Sequence, residues 1–473
     1  MTLNSLNVGC VPSKALIHSA NLAHTMRGQQ KKNEDAGIFL DPSAVKVDFG
    51  KVMERLRRLR SEISHHDSAE RYSRELGVDI FIGYGKFTSE RTIEVNGKTL
   101  TFKRAAIATG GYPVLIPMKG LADLYEKGTA IDTIGQSRPI IATNETIFNL
   151  TRAPRHLVVI GAGVIGMELS QAMQRLGVKT TVLGRSGRVL PKEDQDLANI
   201  VKEQMVDDGV EFRLSVKEYV EIRETGKILE NGHPELALTI KESSNEDTVS
   251  TAEILCDAVL VAAGRRPNVT GMDLEKAKVQ YDTIKGLVVN DKLQTTNSRV
   301  YGVGDCCSEY KFTHAADFMA RAVIRNALFL GKEKMSELLI PYATFTSPEI
   351  ASVGLYEKDL KEKGVEYRII EKHFKDVDRA KLDDTEEGMV RFRVSAKTDK
   401  ILGATIVGEG AGNMISEVTL AIQSDTGLGS LASVIHPYPT TAEAVRQAGD
   451  LYNRTRLTTT VKSLLRGVIS IQR

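Results

Sequence analysis

The glycines of one short segment have the spacing of a dinucleotide-binding turn. Gly161, Gly163 and Gly166 form a Gly-x-Gly-x-x-Gly pattern within the stretch HLVVIGAGVIGMELS. In such a turn the first glycine permits a tight bend, the second lets the backbone approach a pyrophosphate, and the third allows close helix–strand packing. The start of the following helix offers unpaired N–H groups and a positive dipole end to the phosphates. The spacing therefore predicts a dinucleotide site.

The segments around these glycines have the order that such a site requires. An apolar strand is predicted over His156–Ile160, followed by a helix that Gly177 terminates and a second strand over Lys179–Leu183. A glycine-rich turn alone would indicate little. The strand–helix–strand order favours dinucleotide binding over a plain glycine-rich turn.

The residues after the second strand indicate which dinucleotide binds. An NAD site usually has Asp or Glu there for the ribose 2′-hydroxyl. This chain instead has Gly184 followed by Arg185 and Arg188. Arginine forms charge-assisted pairs with phosphate, so the pattern favours NADP over NAD. The alternative is that both arginines are simply solvated on a loop.

The composition is that of an ordinary globular protein. The chain has 473 residues, 41% hydrophobic and 26% charged, and its length corresponds to about three domains. The 63 Lys and Arg against 61 Asp and Glu exclude a global basic field for nucleic acid, though not a local patch. The apolar runs are shorter than the about 20 residues of a membrane span. Four cysteines exclude a secreted disulfide framework and favour a reducing compartment.

The hydrophobic periodicity predicts elements that alternate along most of the chain. Helices are predicted over 12–31, 47–75, 315–330 and 412–424. Strands are predicted at VDIFIG (78–83), KFTSERTIEV (86–95), KTLTF (98–102), RAAIATG (104–110), RVYGVGD (299–305), MVRFRVSA (389–396) and KILGATIVG (400–408). Residues 117–150 are interpreted as a polar connection, and the stretch from 188 to about Asn268 as further strands. The last two strands, joined by a turn at 397–400, predict an α+β domain from about Ile340.

Six motifs, in order along the chain, resemble those of the FAD-dependent pyridine nucleotide–disulfide oxidoreductases. They are LNVGCVPSK at 6–14, IATG at 107–110, GAGVIGMELS at 161–170, AAGRRPN at 262–268, VYGVGD at 300–305 and HPYPTTAE at 436–443. The resemblance covers nearly the whole chain and is closest to mercuric reductase-like and dihydrolipoyl dehydrogenase-like members. It implies an α/β fold of doubly wound FAD- and NAD(P)-binding domains with a C-terminal α+β dimerisation domain.

The resemblance also implies a domain order. Residues 1–150 would form the first part of the FAD-binding domain, without its N-terminal βαβ unit, and residues 151–268 the NAD(P)-binding domain. Residues 269–337 would return to the FAD-binding domain, and 338–473 would form the dimerisation domain with a basic tail. The implied assembly is a homodimer in which Tyr438 and Glu443 are supplied across the subunit interface as catalytic residues.

Further site roles follow from the resemblance. Cys10 matches the flavin-facing redox cysteine, and the start of the helix after it would activate the thiolate. Lys14 matches the lysine that reaches the flavin N5 region, with Glu168 as its ion-pair partner. Asp305 resembles the aspartate that binds the ribityl chain of FAD.

The remaining implied cofactor contacts lie on turns and at one helix start. They are Gly85, Thr109, Gly110, Gly264, Thr313 and His314. Gly110 and Gly264 match turns that pass close to the dinucleotides. Thr313 and His314 lie where the family's next helix begins with its N-terminus facing the flavin. No metal ligand is assigned.

Three departures from the family pattern bear on function. The family has a Gly-x-Gly-x-x-Gly unit of about 30 residues before the cysteine motif, whereas nine residues precede Cys10 here. We therefore expect a truncated gene model, an isoform or fragment, or a chain that binds FAD poorly. Ser5 stands where the family has the first cysteine of Cys-x-x-x-x-Cys, which breaks the dithiol cycle. Tyr438 replaces the family's C-terminal histidine, with Glu443 in register and His436 two residues earlier.

The expected activity is electron transfer from NADPH through FAD to an acceptor, with Cys10 taking part. A disulfide is the family's usual acceptor, but Ser5 and Tyr438 weigh against it and towards a metal ion or another small molecule. Two alternatives stay open. One is a non-catalytic homologue that keeps only NADP binding and dimerisation, and the other is an NADPH diaphorase or oxidase without dithiol chemistry.

The tail from Asn453 has five basic residues and no acidic one. With Val461, Leu464, Leu465 and Val468 it would form an amphipathic basic helix that contacts an anionic membrane or a partner. A solvated C-terminal helix is the favoured interpretation. We expect no nucleic-acid partner, and a location in the cytoplasm or in a mitochondrion or plastid.

Overall fold

The computed structural model describes residues 3–27, 35–39, 41–128, 138, 140–245 and 248–472. Its helices are α1 (Leu3–Val8), α2 (Cys10–Arg27), α3 (Phe49–Ser64), α4 (Ala69–Arg74), α5 (Leu121–Gly128), α6 (Val164–Arg175), α7 (Gln195–Asp207), α8 (Thr313–Leu328), α9 (Glu357–Glu362), α10 (Asp378–Leu382), α11 (Ala411–Gln423), α12 (Leu428–Leu431), α13 (Glu443–Thr455) and α14 (Thr459–Ile471). None of the helices in these ranges is long and apolar enough to cross a membrane.

The strands alternate with these helices. They are β1 (Lys86–Ser89), β2 (Thr92–Val95), β3 (Lys98–Thr101), β4 (Ala105–Ile107), β5 (Gly111–Pro113), β6 (Ile140–Ala142), β7 (His156–Ile160), β8 (Lys179–Leu183), β9 (Glu211–Arg213), β10 (Val216–Ile228), β11 (Pro234–Asn245), β12 (Thr248–Cys256), β13 (Ala258–Val261), β14 (Arg265–Pro267), β15 (Tyr281–Asp282), β16 (Gly286–Leu287), β17 (Val300–Gly302), β18 (Tyr342–Thr344), β19 (Glu349–Gly354), β20 (Tyr367–His373), β21 (Met389–Ser395) and β22 (Ile401–Gly408).

The chain forms two compact units. The first contains Met1–Gln29, Leu40–Arg188 and Gly209–Leu338. The second contains Gln30–Phe39, Val189–Asp208 and Leu339–Arg473. Helix α7 therefore belongs to the second unit, where it packs on β19 and β22. The four-segment domain order stays a prediction.

A parallel sheet in the first unit carries the glycine turn. Its strand order is β6-β13-β7-β8-β9, and β7 and β8 have the bounds that the sequence predicted. Both strands and β13 are almost wholly buried, and β7 and β13 are mostly apolar, as expected where helices cover both faces of a parallel sheet. The strand–helix–strand prediction is confirmed.

Short strand pairs join distant motifs of the first unit. Strand β4 pairs with β17 in parallel, and β5 pairs with β14 in an antiparallel manner. The long strands β10, β11 and β12 form an antiparallel sheet that shares a buried apolar cluster with β7 and β13. These pairings bring the IATG, GRRPN and GVGD motifs together.

The second unit is an antiparallel sheet covered by helices. Its strand order is β18-β19-β22-β21-β20, and α11, α12 and α13 contribute to one buried apolar cluster with it. Strands β21 and β22 and helix α11 agree with the sequence prediction within about one residue. The predicted α+β domain is confirmed.

The strand predicted at 78–83 is wrong. These residues are irregular and exposed, with Ile82 at 81% and Tyr84 just beyond at 94% exposure. A strand needs a neighbour to take its backbone hydrogen bonds. In the described part of the chain no strand pairs with this segment, so its apolar alternation leads to no sheet.

Four further predictions need correction. The helix expected over 47–75 divides into α3, a short 3-10 turn and α4, because Ser68 is extended and its side chain caps α4 by accepting from Arg71 N. The connection at 117–150 contains α5 and the buried strand β6, while residues 129–137 and 139 lie outside the described residues. The stretch after 188 contains helix α7 as well as strands. The helix predicted over 12–31 begins at Cys10, and residues 28–31 lie outside the described residues.

Candidate functional site

The glycine turn after β7 has the geometry of a phosphate-binding loop. A Cβ on Gly166 would lie 1.9 Å from the carbonyl oxygen of Gly161, so only glycine allows α6 to pack here. Gly161 has φ +120°, which few other residues adopt. Gly163 begins α6 without a side-chain cap, and a Cβ there would meet nothing within 4 Å. The backbone N–H groups of this turn are thus open to a pyrophosphate.

The arginine loop follows β8 at the same end of the sheet. A Cβ on Gly184 would lie 3.4 Å from the Cβ of Ala162, within the glycine turn. Arg185 is exposed and lines a cavity of about 200 Å³ with Tyr219 and Lys217, and Arg188 is half-buried. Burial raises the pKa of Tyr219 to about 12, so its hydroxyl stays protonated. Two cationic side chains at this edge suit an additional phosphate.

The redox cysteine of the sequence analysis lies against a helix N-terminus. Cys10 is the first residue of α2, and its Sγ is 3.8 Å from Oγ1 of Thr313, the first residue of α8. The hydroxyl of Ser5, which is 7% exposed, hydrogen-bonds with the same Thr313 hydroxyl. The residues at both positions of the family's cysteine pair therefore contact Thr313.

An ion pair joins the cysteine-bearing helix to the dinucleotide helix. Lys14 Nζ donates to Glu168 Oε2 at 2.6 Å, with 33% of the lysine and 6% of the glutamate side chain exposed. A second contact between α2 and α6 runs from Arg175 Nη1 to Asn21 Oδ1 at 2.7 Å. The pair expected from the resemblance is present, and it couples the two parts of the site.

Asp305 lies in a buried polar cluster after β17. Its Oδ2 is 3.7 Å from Nη2 of Arg265, which also donates to the carbonyl of Gly111 at 2.7 Å. Burial raises the pKa of Asp305, against the opposing effects of Arg265 and Lys311. Lys311 Nζ donates to the carbonyl of Arg265. Sequence reasoning had assigned no role to Arg265 or Lys311, although Arg265 lies within the quoted GRRPN motif.

The IATG and GRRPN motifs dock on each other. Thr109 Oγ1 donates to the carbonyl of Asn268 at 2.5 Å, and Asn268 N donates to the carbonyl of Gly110 at 2.9 Å. Gly110 and Gly264 have φ +69° and +121°, and Gly264 has open space where a Cβ would lie. Both turns are therefore accessible to a ligand.

Two predicted cofactor contacts, Gly85 and His314, are not part of the contacts between the IATG and GRRPN motifs. Gly85 precedes β1, where a Cβ would contact Ile93. His314 is exposed and stacks on Phe312 with ring centroids 5.5 Å apart. In the described part of the chain no hydrogen bond joins Gly85 to the other site residues, and its cofactor role stays a prediction.

The polar groups around Asp305 fit the hydroxyl-bearing ribityl part of FAD. Arg265 Nε is a buried donor with no partner in the part of the chain that the structure describes, although buried polar groups are nearly always paired. Phe312 gives the N-terminus of α8 no side-chain cap. Uncapped and unpaired donors beside Asp305 are what a polar, hydroxyl-bearing ligand would satisfy.

Tyr438 and Glu443 lie in the second unit and are engaged by neighbours. Tyr438 is 70% exposed, and its hydroxyl donates to Asp378 Oδ2 at 3.1 Å, which raises the pKa of Tyr438. Glu443 is the first residue of α13 and its Oε1 lies 3.4 Å from Nη2 of Arg446. The negative charge of Glu443 also contributes to the raised pKa of Tyr438, so the two side chains lie near each other within one subunit, although no described hydrogen bond joins them.

His436 is occupied by a different carboxylate. Its Nε2 lies 3.0 Å from Oε1 of Glu417 on α11, and its Nδ1 is 3.0 Å from the carbonyl of Val434. The contacts of Glu417 and Asp378 were missed because they join residues 19 and 60 positions apart. No periodicity within one element could have indicated them.

Comparison with known proteins identifies the family. The profile described as "Pyridine nucleotide-disulphide oxidoreductase" matches residues 2–320, and that of the family's dimerisation domain matches residues 340–449. This chain belongs to that family. The family consists of FAD-dependent oxidoreductases that use a pyridine nucleotide, so the fold class and the family expected from the motifs are confirmed.

Relatives with different names are about equally similar. The chain is 32% identical to a mercuric reductase of Bacillus cereus over 443 residues, which are 94% of this chain and 65% of that protein. It is also 32% identical to a mitochondrial dihydrolipoyl dehydrogenase of Pisum sativum over 450 residues, 94% of this chain and 83% of that one. The chain thus spans slightly less than two thirds of the Bacillus relative.

Solved structures agree on the fold. The HOCl-induced flavoprotein disulfide reductase RclA from Escherichia coli superposes with a TM-score of 0.77 at 22% identity, covering 95% of this chain and 91% of that one. LpdA from Mycobacterium tuberculosis gives a TM-score of 0.77 at 23% identity over 95% and 91% of the two chains.

Proposed function

We propose that this chain is an NADPH-dependent flavoprotein oxidoreductase whose acceptor is a metal ion or another small molecule rather than a disulfide. The Lys14–Glu168 ion pair carries this proposal. It fixes the helix that bears Cys10 against the helix that begins at the dinucleotide turn. The residues expected to contact the flavin and the turn expected to bind the pyridine nucleotide therefore lie on one pair of packed helices.

The chain's own groups would hold and orient the cofactors. FAD, when bound, supplies the two-electron chemistry between a reduced nicotinamide and an acceptor. Lys14 offers a cation near Cys10, and the raised pKa of Asp305 suits a carboxyl that hydrogen-bonds to hydroxyl groups. The N-terminus of α8 lies beside Cys10 Sγ through Thr313, so its positive partial charge faces the sulfur.

The preference for NADPH rests on the loop after β8. Arg185 and Arg188 follow Gly184 where an acidic residue for the ribose 2′-hydroxyl is usual. Guanidinium groups bind phosphate through charge-assisted hydrogen bonds. The 2′-phosphate of NADPH would satisfy them, whereas NADH would leave them solvated.

The acceptor is argued from Ser5 and Tyr438. A serine hydroxyl cannot form a disulfide with Cys10, so the centre has one thiol where dithiol exchange needs two. The raised pKa of Tyr438 keeps its phenol protonated, and His436 is held by Glu417. These features support an acceptor that needs neither a second thiol nor an imidazole base.

The test is the visible spectrum of the purified chain, followed by anaerobic NADPH addition. We expect a yellow protein that NADPH bleaches, and reduction of ferricyanide or a quinone but not of lipoamide or glutathione disulfide. Cys10→Ser is the matched variant, which should keep the flavin and lose any acceptor activity that passes through the thiol. Lipoamide reduction as fast as ferricyanide reduction would contradict the proposed acceptor class.

A second candidate is a homologue that binds NADP and dimerises without flavin chemistry. The exposed apolar segment at 78–84 favours it, because the described residues give this part of the FAD-binding domain no sheet partner. The visible spectrum of the purified chain distinguishes the two candidate functions. A colourless protein that still protects its glycine turn on NADPH addition would select this second function.

A further inference from the structure

The last helix, α14, lies beyond the family's dimerisation domain, whose profile ends at residue 449. Thr458 caps it, since its side chain accepts from Val461 N at 3.3 Å. Every residue from Arg454 to Gln472 is exposed. Within the described part of the chain, no hydrogen bond or ion pair joins α14 to another element. This helix therefore lies outside the residues that the family profile matches and has no described packing partner.

Helix α14 has two distinct faces. At about 100° per residue its apolar side chains span about 160° of the helix circumference, and they are Val461, Leu464, Leu465, Val468, Ile469 and Ile471. Their exposure runs from 39% at Val461 to 86% at Ile471. The opposite face carries Thr459, Lys462, Ser463, Arg466 and Ser470. This division is typical of a helix that lies in an interface.

A helix of this length needs a surface to pack against. It has 13 residues, and isolated helices shorter than about 12–15 residues are marginal in water. Most helical stability in proteins comes from burying the apolar face. Something must therefore cover the apolar face for α14 to persist.

The charge of the tail identifies the covering surface. Arg454, Arg456, Lys462, Arg466 and Arg473 are its basic residues, and no Asp or Glu occurs after Asp450. Since the whole chain has a net charge of only +2, the rest of the chain is net acidic and the cationic charge is concentrated here. Anionic lipid headgroups over an acyl region complement both faces at once.

Nucleic acid and a second copy of this chain would each complement only one of the two faces of α14. Nucleic acid would attract the cations but offers no apolar layer for a face of about 160°. The same helix of a second copy would offer an apolar face but would leave the cations of the opposite face without an anionic partner. We infer that residues 454–472 form an in-plane anchor that docks this protein reversibly on membranes with anionic headgroups.

The experiment is flotation of the full chain with vesicles. One set contains phosphatidylcholine alone, and the other contains about one third phosphatidylserine. We expect at least about tenfold more protein to float with the anionic vesicles, and most of that excess to be lost at about 0.5 M salt, because screening weakens headgroup attraction. Equal flotation with both vesicle types would overturn the inference.

Two variants and one control separate the contributions. Leu464→Ser with Val468→Ser removes apolar contacts, and Lys462→Glu with Arg466→Glu reverses the charge. Each should reduce anionic-vesicle binding by about tenfold or more. The control is Lys103→Glu with Lys332→Glu, two exposed lysines elsewhere that produce the same change in net charge. The inference fails if the control loses as much binding as the charge-reversal variant.

Oligomeric state gives an independent measurement. Because α14 is wholly exposed, the variants should leave the thermal unfolding temperature unchanged. Light scattering after gel filtration should show the same mass for wild type and for Leu464→Ser with Val468→Ser. A smaller mass in the variant, without vesicle binding in the wild type, would assign the apolar face to a second copy and refute the membrane anchor.

Discussion

The Lys14–Glu168 ion pair is the contact that couples the two parts of the site, and its strength can be measured. Lys14→Met removes the cation while keeping a long apolar side chain, and Glu168→Gln removes the negative charge with little change of shape. The double variant completes a cycle that isolates the interaction from the effect of each substitution. The cycle compares the wild type with all three variants, which are the two single variants and the double variant.

The expected magnitude follows from the burial of the two side chains. Breaking a buried pair costs about 3–5 kcal/mol, whereas exposed pairs contribute about 0–1 kcal/mol. Glu168 has 6% of its side chain exposed but Lys14 has 33%, so water screens the pair from the lysine side. We expect Lys14→Met to cost about 2 kcal/mol, and a coupling energy of about 1–1.5 kcal/mol.

The assay is native-state hydrogen exchange of the peptide that covers α2, read by mass spectrometry. It reports the free energy of local opening without assuming that the whole chain unfolds in one step. The control cycle uses Arg58 and Glu62, an i,i+4 pair with 60% and 55% of its side chains exposed, for which about 0.3–0.5 kcal/mol is expected. A Lys14–Glu168 coupling no larger than that of the control pair would refute the reasoning.

Two further predictions concern specificity and pH. Arg185→Ala with Arg188→Ala should lower kcat/KM for NADPH by about 10- to 100-fold, since a hydrogen bond to a charged group is worth about 1.5–3 kcal/mol. Steady-state rates with NADH should change little. An equal loss with both nucleotides would contradict the assignment of the two arginines to the 2′-phosphate. Burial raises the pKa of Glu193 above the ordinary value of a glutamate side chain, so the folded state holds that proton more tightly and its stability should fall as pH rises through that ordinary value. Glu193→Gln should flatten this fall in a series of urea midpoints against pH, and parallel profiles for the two proteins would show that Glu193 is not responsible.

Strands that are long enough to show a pattern between turn residues were predictable from the sequence. Strand β7 is mostly apolar and β8 is almost wholly buried, both are bounded by turn residues, and Gly177, with φ +95°, ends the segment after α6. Segment 78–83 has the same apolar character, yet it stays irregular because a strand is defined by its neighbour. Strand β6 was missed for the opposite reason, since three buried residues are too short to show a period.

The site likewise contains parts that could be predicted from the sequence and parts that could not. The glycine turn could be derived from spacing, because its chemistry is contained in one segment. The partners of Lys14, Asp305 and Tyr438 could not, because their contacts cross many residues and depend on how elements pack. For Lys14 the resemblance provided the partner 154 residues away. For Tyr438 it provided Glu443, whereas the hydrogen bond to Asp378 was found only in the structure.

Thr313 contacts Ser5 and Cys10, the two residues of the first unit on which the proposed acceptor class depends. Its hydroxyl contacts both Ser5 and Cys10, so it occupies the position from which either group of the family's cysteine pair could be polarised. With serine at the first position, the Thr313 hydroxyl lies between the Ser5 hydroxyl and the Cys10 thiol, and no second sulfur is present there. Hydroxyls can stabilise negative charge on sulfur but cannot take over its electrons. The proposed departure from disulfide chemistry therefore rests on the residues around this one thiol together with Tyr438 in the second unit.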